Sequence, residues 1–100
     1  MRIDEVRRFL TVNGLIEIEK NIFIKGNKTA EFILNKDNVI REVFLLHYYK
    51  EYKDKNYEIL EHKIYPQKNF LLRKFEEHFQ LKLSKFEEFY DKNYFYIQKL

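Results

Sequence analysis

The sequence predicts an α+β domain, and three features carry that prediction. Apolar residues near the N-terminus recur at helical spacing. The middle of the chain alternates with a period of two between turn-forming dipeptides, and the part beyond Pro66 returns to helical spacing. With 100 residues and no linker or low-complexity tract, residues 1–100 read as one domain.

At the N-terminus Ile3, Val6, Phe9 and Leu10 fall on one helical face, with Arg2, Arg7 and Arg8 largely off it. Asp4 is placed to cap this helix and Asn13-Gly14 to end it, because glycine adopts the left-handed conformation without a Cβ penalty. The expected span is 4–12.

Residues 15–35 read as a β-hairpin. Ile16, Ile18, Ile22 and Ile24 share one parity and hence one strand face, and Gly26-Asn27 marks the turn. A three-residue loop of Gly26, Asn27 and Lys28 sets Ile24 opposite Ala30 and Ile22 opposite Phe32. A two-residue turn sets Ile22 opposite Glu31. Apolar pairing favours the longer loop, since a one-residue slip exchanges the two faces.

Residues 39–52 admit two readings. Val, Ile, Phe and Tyr between the turn clusters NKDN and KDKN favour a strand apolar on both faces. The rival is a helix with Ile40, Val43, Phe44 and His47 on one side. Residues 56–65, NYEILEHKIY, then return as the next strand of a meander.

Pro66 marks the start of the C-terminal helices. Leu72, Phe75, Phe79, Leu83, Phe86, Tyr90, Tyr94 and Ile97 step by threes and fours. The heptapeptides KFEEHFQ and KFEEFYD repeat at an offset of eleven residues, three helical turns, which puts Phe75 and Phe86 inward and the Glu pairs outward. Ser84 and Glu87 have capping-box spacing. Two helices are therefore expected, over 67–79 and 85–92, and the tail 94–100 fits either helix or strand.

The composition narrows the function classes. There is no cysteine, so disulfides and thiolate metal sites are excluded. His47, His62 and His78 show no shared ligand spacing, and no metal or cofactor is expected. Glu76, Glu77, Glu87 and Glu88 fit a solvated helix face better than an acid–base pair. The two glycines serve turns and the one serine serves a cap, which leaves no phosphate loop and no serine nucleophile. The N-terminal stretch lacks the apolar run of a signal peptide, and no membrane-spanning segment stands out, so a cytoplasmic location is expected.

The net charge of +3 is a mild excess with acids interleaved. The most informative feature is the aromatic content, ten Phe and eight Tyr at 18% of the chain. Adjacent rings cannot all turn inward, and exposed tyrosine offers contact area at low entropic cost. Tyr48, Tyr49, Tyr94 and Tyr96 are the candidate partner-binding residues. The abundance of Lys, Asn, Ile, Phe and Tyr, whose codons are rich in A and T, supplies the bland alternative explanation.

These features favour a small non-catalytic binding protein with a protein partner, as an accessory or inhibitor factor of a phage or mobile element. An anti-CRISPR-type inhibitor of a host nucleic-acid-handling complex is one version, reached by class-level analogy. The alternatives are a nucleic-acid binder using Arg2, Arg7 and Arg8 with stacking tyrosines, and a metal-independent ribonuclease-type toxin. A homodimer through the C-terminal aromatic stripe is also compatible with the pattern.

Overall fold

Helix α1 spans Ile3–Val12 and buries the four residues that the spacing selects, Ile3, Val6, Phe9 and Leu10. Its start differs from expectation, because Arg2 rather than Asp4 is the capping position. The backbone of Met1–Ile3 is pinned to the segment entering the fourth strand: the Ile3 amide donates to the Asn38 carbonyl at 3.0 Å, and the Ile40 amide to the Met1 carbonyl at 2.8 Å. This pairing starts the helix one residue early, and Glu5 reaches back to accept from the Arg2 amide at 3.3 Å. Asn13 closes the helix and Gly14, at φ 88°, turns the chain away from it.

The computed structural model describes residues 1–81, the side chain of Leu72 excepted. Within them α1 is followed by five strands, β1 Ile16–Glu19, β2 Ile22–Lys25, β3 Lys28–Leu34, β4 Ile40–Tyr48 and β5 Tyr57–Ile64, and then by helix α2, Lys68–Phe79. The strands form one antiparallel meander in sequence order. Residues 39–52 thus contribute a strand, and the helical rival is set aside. The second expected helix, 85–92, the tail 94–100 and the Ser84 cap lie outside the described residues.

The β2–β3 register departs from the expected one. Lys25 pairs with Lys28, Ile24 with Thr29, Phe23 with Ala30 and Ile22 with Glu31, so the turn has two residues, Gly26 and Asn27. Gly26 has φ 65°, the left-handed first position that a tight type II′ hairpin turn requires. The physical reason is the position of the core. Directly opposed residues share a face, and the face that meets the helices is the one with Phe23, Ala30 and Phe32, not the isoleucine row.

Both helices lie on that face. The core joins Ile3, Val6, Phe9 and Leu10 of α1 and Leu71, Phe75 and Phe79 of α2 to Phe23, Ala30, Phe32, Ile40, Val43 and Leu45 of the sheet. Phe32 meets Phe23 and Phe75 edge-on, with ring centroids 5.9 and 6.1 Å apart. In α2, Phe75 is inward while Glu76 and Glu77 are exposed, as the amphipathic spacing predicts. Gln80 ends α2 in the left-handed conformation, and Leu81 is again part of the core.

Candidate functional site

The other face of the sheet has no helix on it among the described residues, and the register lays out its side chains in rows. One row runs Ile16, Ile24, Thr29, Leu46 and Ile59 across the five strands. A second runs Glu19, Ile22, Glu31, Phe44 and His62. A third holds Ile33, Glu42 and Ile64, and Tyr48 faces Tyr57 at one end. None of these residues is Lys or Arg, in a chain that has 19 of them. Ile16, Ile59 and Ile64 are each more than half exposed, at 65%, 54% and 59%.

Part of this face is roofed by the β4–β5 connection. Tyr52 packs edge-on against Tyr48 at 5.4 Å, and Tyr57 leans on Tyr48 from the other side at 5.4 Å. Lys53 reaches Glu19 on β1 at 3.7 Å, so the loop spans the sheet toward its far edge. Tyr48 is therefore only 6% exposed, and burial, reinforced by Glu31 and the neighbouring tyrosines, pushes its phenol up to about 12. Burial of Glu31, with Glu19 nearby, raises the Glu31 carboxyl above the usual carboxylate range. Tyr52 is likewise raised, first by burial and then by Glu19 and Glu31.

Toward β5 the face is open. His62 stacks flat on Phe44, 4.1 Å between centroids and 5° between planes, and its Nε2 donates to Glu42 at 3.0 Å. That hydrogen bond, helped by Arg41 at 3.3 Å, holds the Glu42 carboxyl below its ordinary range. The result is an apolar strip set with carboxylates, rimmed by the half-exposed rings of Tyr57 and His62.

A cleft of about 180 Å³ on the helix side is lined by Lys28, Leu45, Leu60, Glu61, Lys74, Glu77 and His78. Its polar groups answer one another. Lys74 lies 3.7 Å from Glu77 and 4.0 Å from Glu61, and His78 Nε2 donates to the Thr29 carbonyl at 3.1 Å. The three histidines occupy three separate places, with His47 held between Asn27 at 3.1 Å and Glu58 at 3.5 Å.

The residues singled out from the sequence are dispersed. Tyr48 lies under the loop, Tyr49 is 52% exposed beside His47 and Glu58, and Tyr94 and Tyr96 lie outside the described residues. Arg7 is engaged by Asp4 at 2.9 Å, Glu17 at 3.1 Å and Asn21 at 2.8 Å. Arg2 donates to the Asp37 carbonyl at 3.2 Å, and Arg8 is exposed. The three arginines therefore do not present a common set of unpartnered cations. Sequence reasoning did not select Ile59 and Ile64, and weighed Ile16, Phe44 and His62 only as strand-face, helix-face and metal-ligand residues. The signal was present in YEILEHKI, but Leu60 is an extra residue between the Leu45–Glu61 and Leu46–Ile59 pairs. A strict period of two puts Ile59 and His62 on opposite sides, and the bulge puts them on one.

Comparison with protein-family models, with curated proteins and with solved structures finds no match to this chain. Among the described residues no helix is long and apolar enough to cross a membrane.

Proposed function

We propose that the protein is a small, non-catalytic protein-binding factor that offers the uncovered face of its sheet to a partner. The observation that carries this reading is the group of exposed aliphatic side chains on the open β5 side, Ile33, Ile59 and Ile64, on a sheet face whose paired residues include carboxylates and no Lys or Arg, while the β4–β5 loop roofs the middle of the face and sets Ile16 apart. Covering apolar surface is favourable by roughly 25 cal/mol per Å², and contiguous exposed apolar area on a small chain is a mark of interaction sites. Glu19 and Glu42 already carry cationic partners, Lys53 at 3.7 Å and Arg41 at 3.3 Å, so the complement is chiefly an apolar protein surface.

The role of an accessory or inhibitor factor of a phage or mobile element, acting on a host complex, belongs to this proposal as its biological form. It is supported by small size, mild basicity and the A/T-rich residue usage.

The test uses the protein and its Ile33→Lys/Ile64→Lys variant as baits in lysate of the source cells, with and without nuclease. The expected result is a stoichiometric protein partner that survives nuclease and is lost from the variant. Equal recovery by both baits removes the sheet face as the docking surface. Recovery that disappears with nuclease moves the reading to nucleic acid.

A further inference from the structure

We propose that β5 is a self-pairing edge, through which two copies of the chain join their sheets antiparallel about a two-fold axis at Leu60-Glu61. The partner is a second copy of this chain, and the argument comes from the strand's own symmetry.

Among the described residues, β5 pairs with β4 only, and no strand lies on its other side. The Tyr49 amide donates to the Asn56 carbonyl at one end of β5, and the Tyr65 amide donates to the Arg41 carbonyl at the other. Backbone polar groups alternate in direction along a strand. Counting inward from both ends, Glu58, Glu61 and Lys63 turn their amides and carbonyls to β4. Tyr57, Ile59, His62 and Ile64 turn theirs to the free edge. Such a row of unsatisfied groups is a template for another strand.

The bulge decides the register. Because Leu60 and Glu61 share one place opposite Leu45, the eight residues of β5 fill seven ladder positions, symmetric about the bulge. A two-fold axis there sets Tyr57 opposite the partner's Ile64 and Ile59 opposite the partner's His62. Both pairs lie on the open face and both use edge-directed backbone groups. It also sets Glu58 opposite the partner's Lys63, on the helix side. Opposite charges therefore meet twice, once at each end, while the two copies of Glu61 come together at the axis, each beside its own Lys74 at 4.0 Å.

Other registers are poorer. A shift by one position opposes edge-directed groups to inward-directed ones. A shift by two in one direction brings Glu58 against the partner's Glu61. The same shift in the other direction sets Glu61 opposite the partner's Lys63, but it brings His62 against its own copy and leaves fewer rungs. Lys63 is not a fixed guard against pairing here: within one copy its ammonium lies over the Phe70 ring at 5.4 Å on the helix side, and its flexible side chain swings from there to meet the partner's Glu58. Pairing in this register makes one sheet from two and continues the open face across both copies.

The experiment measures association of the full chain by analytical ultracentrifugation across the micromolar range, with charge reversals at the matched pair. The wild type is expected to show a concentration-dependent dimer. Lys63→Glu should weaken it about tenfold or more, because like charges then face each other at both ends, and Glu58→Lys/Lys63→Glu should restore it. A second readout exploits the absence of cysteine from the chain. Glu58 and the partner's Lys63 form a non-hydrogen-bonded pair with Cα atoms about 4.5 Å apart, within disulfide reach. Glu58→Cys/Lys63→Cys should therefore give a covalent dimer on mild oxidation. Lys63→Cys alone should not, since the two copies of residue 63 stand about 13 Å apart along the ladder. A monomer at every concentration overturns the proposal. So does a dimer that ignores Lys63→Glu and leaves the double-cysteine variant uncrosslinked.

Discussion

His78, near the end of α2, donates from Nε2 to the backbone carbonyl of Thr29 in β3 at 3.1 Å, tying the C-terminal helix to the middle of the sheet. The imidazole is 8% exposed and neutral: burial, with Lys28 and His47 nearby, pushes it down to about 4 against the ordinary 6.5, although the Thr29 bond works in the other direction. Between those values the unfolded chain binds a proton that the native protein refuses. Stability is therefore fully present above about pH 6.5 and declines as the pH falls toward 4, by at most about 3 kcal/mol. His78→Gln keeps an N–H donor and removes the titration. Urea melts from pH 7 to 4 should show a shallower decline for the variant, and parallel curves would contradict this account.

Thr29 supplies a second test, on the other side of the sheet. Its hydroxyl is buried between Ile24 and Leu46 and has no hydrogen-bond partner among the described residues. A buried hydroxyl left unpaired costs free energy that a methyl of the same shape does not. Thr29→Val should stabilise the protein by about 1 kcal/mol in chemical denaturation at neutral pH. A loss of stability would show that the hydroxyl is bonded after all.

Phe75 bears on how α2 is held. It is 1% exposed, meets Phe32 edge-on and touches Phe79 at 6.2 Å, so it links the helix to the sheet and to the helix's own end. Phe75→Ala should cost about 3–5 kcal/mol through lost transfer energy and the cavity left behind. Phe70, half-buried beneath Lys63 and Lys74, should cost less than half as much when truncated. Equal losses at the two positions would mean that α2 is not docked through its Phe75 side.

The α+β class, α1 and α2 were legible because each rests on local patterns, whereas residues 39–52 stayed open between strand and helix, and the turn at Lys20-Asn21 that divides the isoleucine run into β1 and β2 went unread. Ile3, Val6, Phe9 and Leu10 announce a helix face, and Phe75 with Glu76 and Glu77 announces another. The hairpin register was not legible, because both parities of the β2–β3 pair are apolar. Ile22 and Ile24 compete with Phe23, Ala30 and Phe32, and only the position of the helices says which set is inside. The candidate surface was hidden for the same reason. Tyr48 looked like a contact residue and lies under its own loop, while Ile59 and Ile64 became an exposed strip only once β5 was placed at an edge with its bulge at Leu60. Tertiary placement, not local propensity, decides those points.

Glu31 gives the last prediction. It sits mid-sheet between Ile22 and Phe44, on the row that begins at Glu19, and is half-buried under the β4–β5 loop. Burial first, and Glu19 second, raise its carboxyl above the ordinary value. A raised carboxyl makes the native state hold its proton to higher pH than the unfolded chain does. Its share of stability is thus complete below the unfolded value and is lost as the pH climbs through the native one. At pH 7 the ionised group is a net cost, partly relieved by solvent. Glu31→Gln keeps the shape and removes the charge. It should raise stability at pH 7 by something on the order of 0.5 kcal/mol, allowing for solvent screening, and make no difference at a pH where the carboxyl is protonated in both states. Thermal melts of the two proteins at neutral and acid pH decide it: a gain that persists in acid would point to better packing by the amide, and the electrostatic explanation would fail.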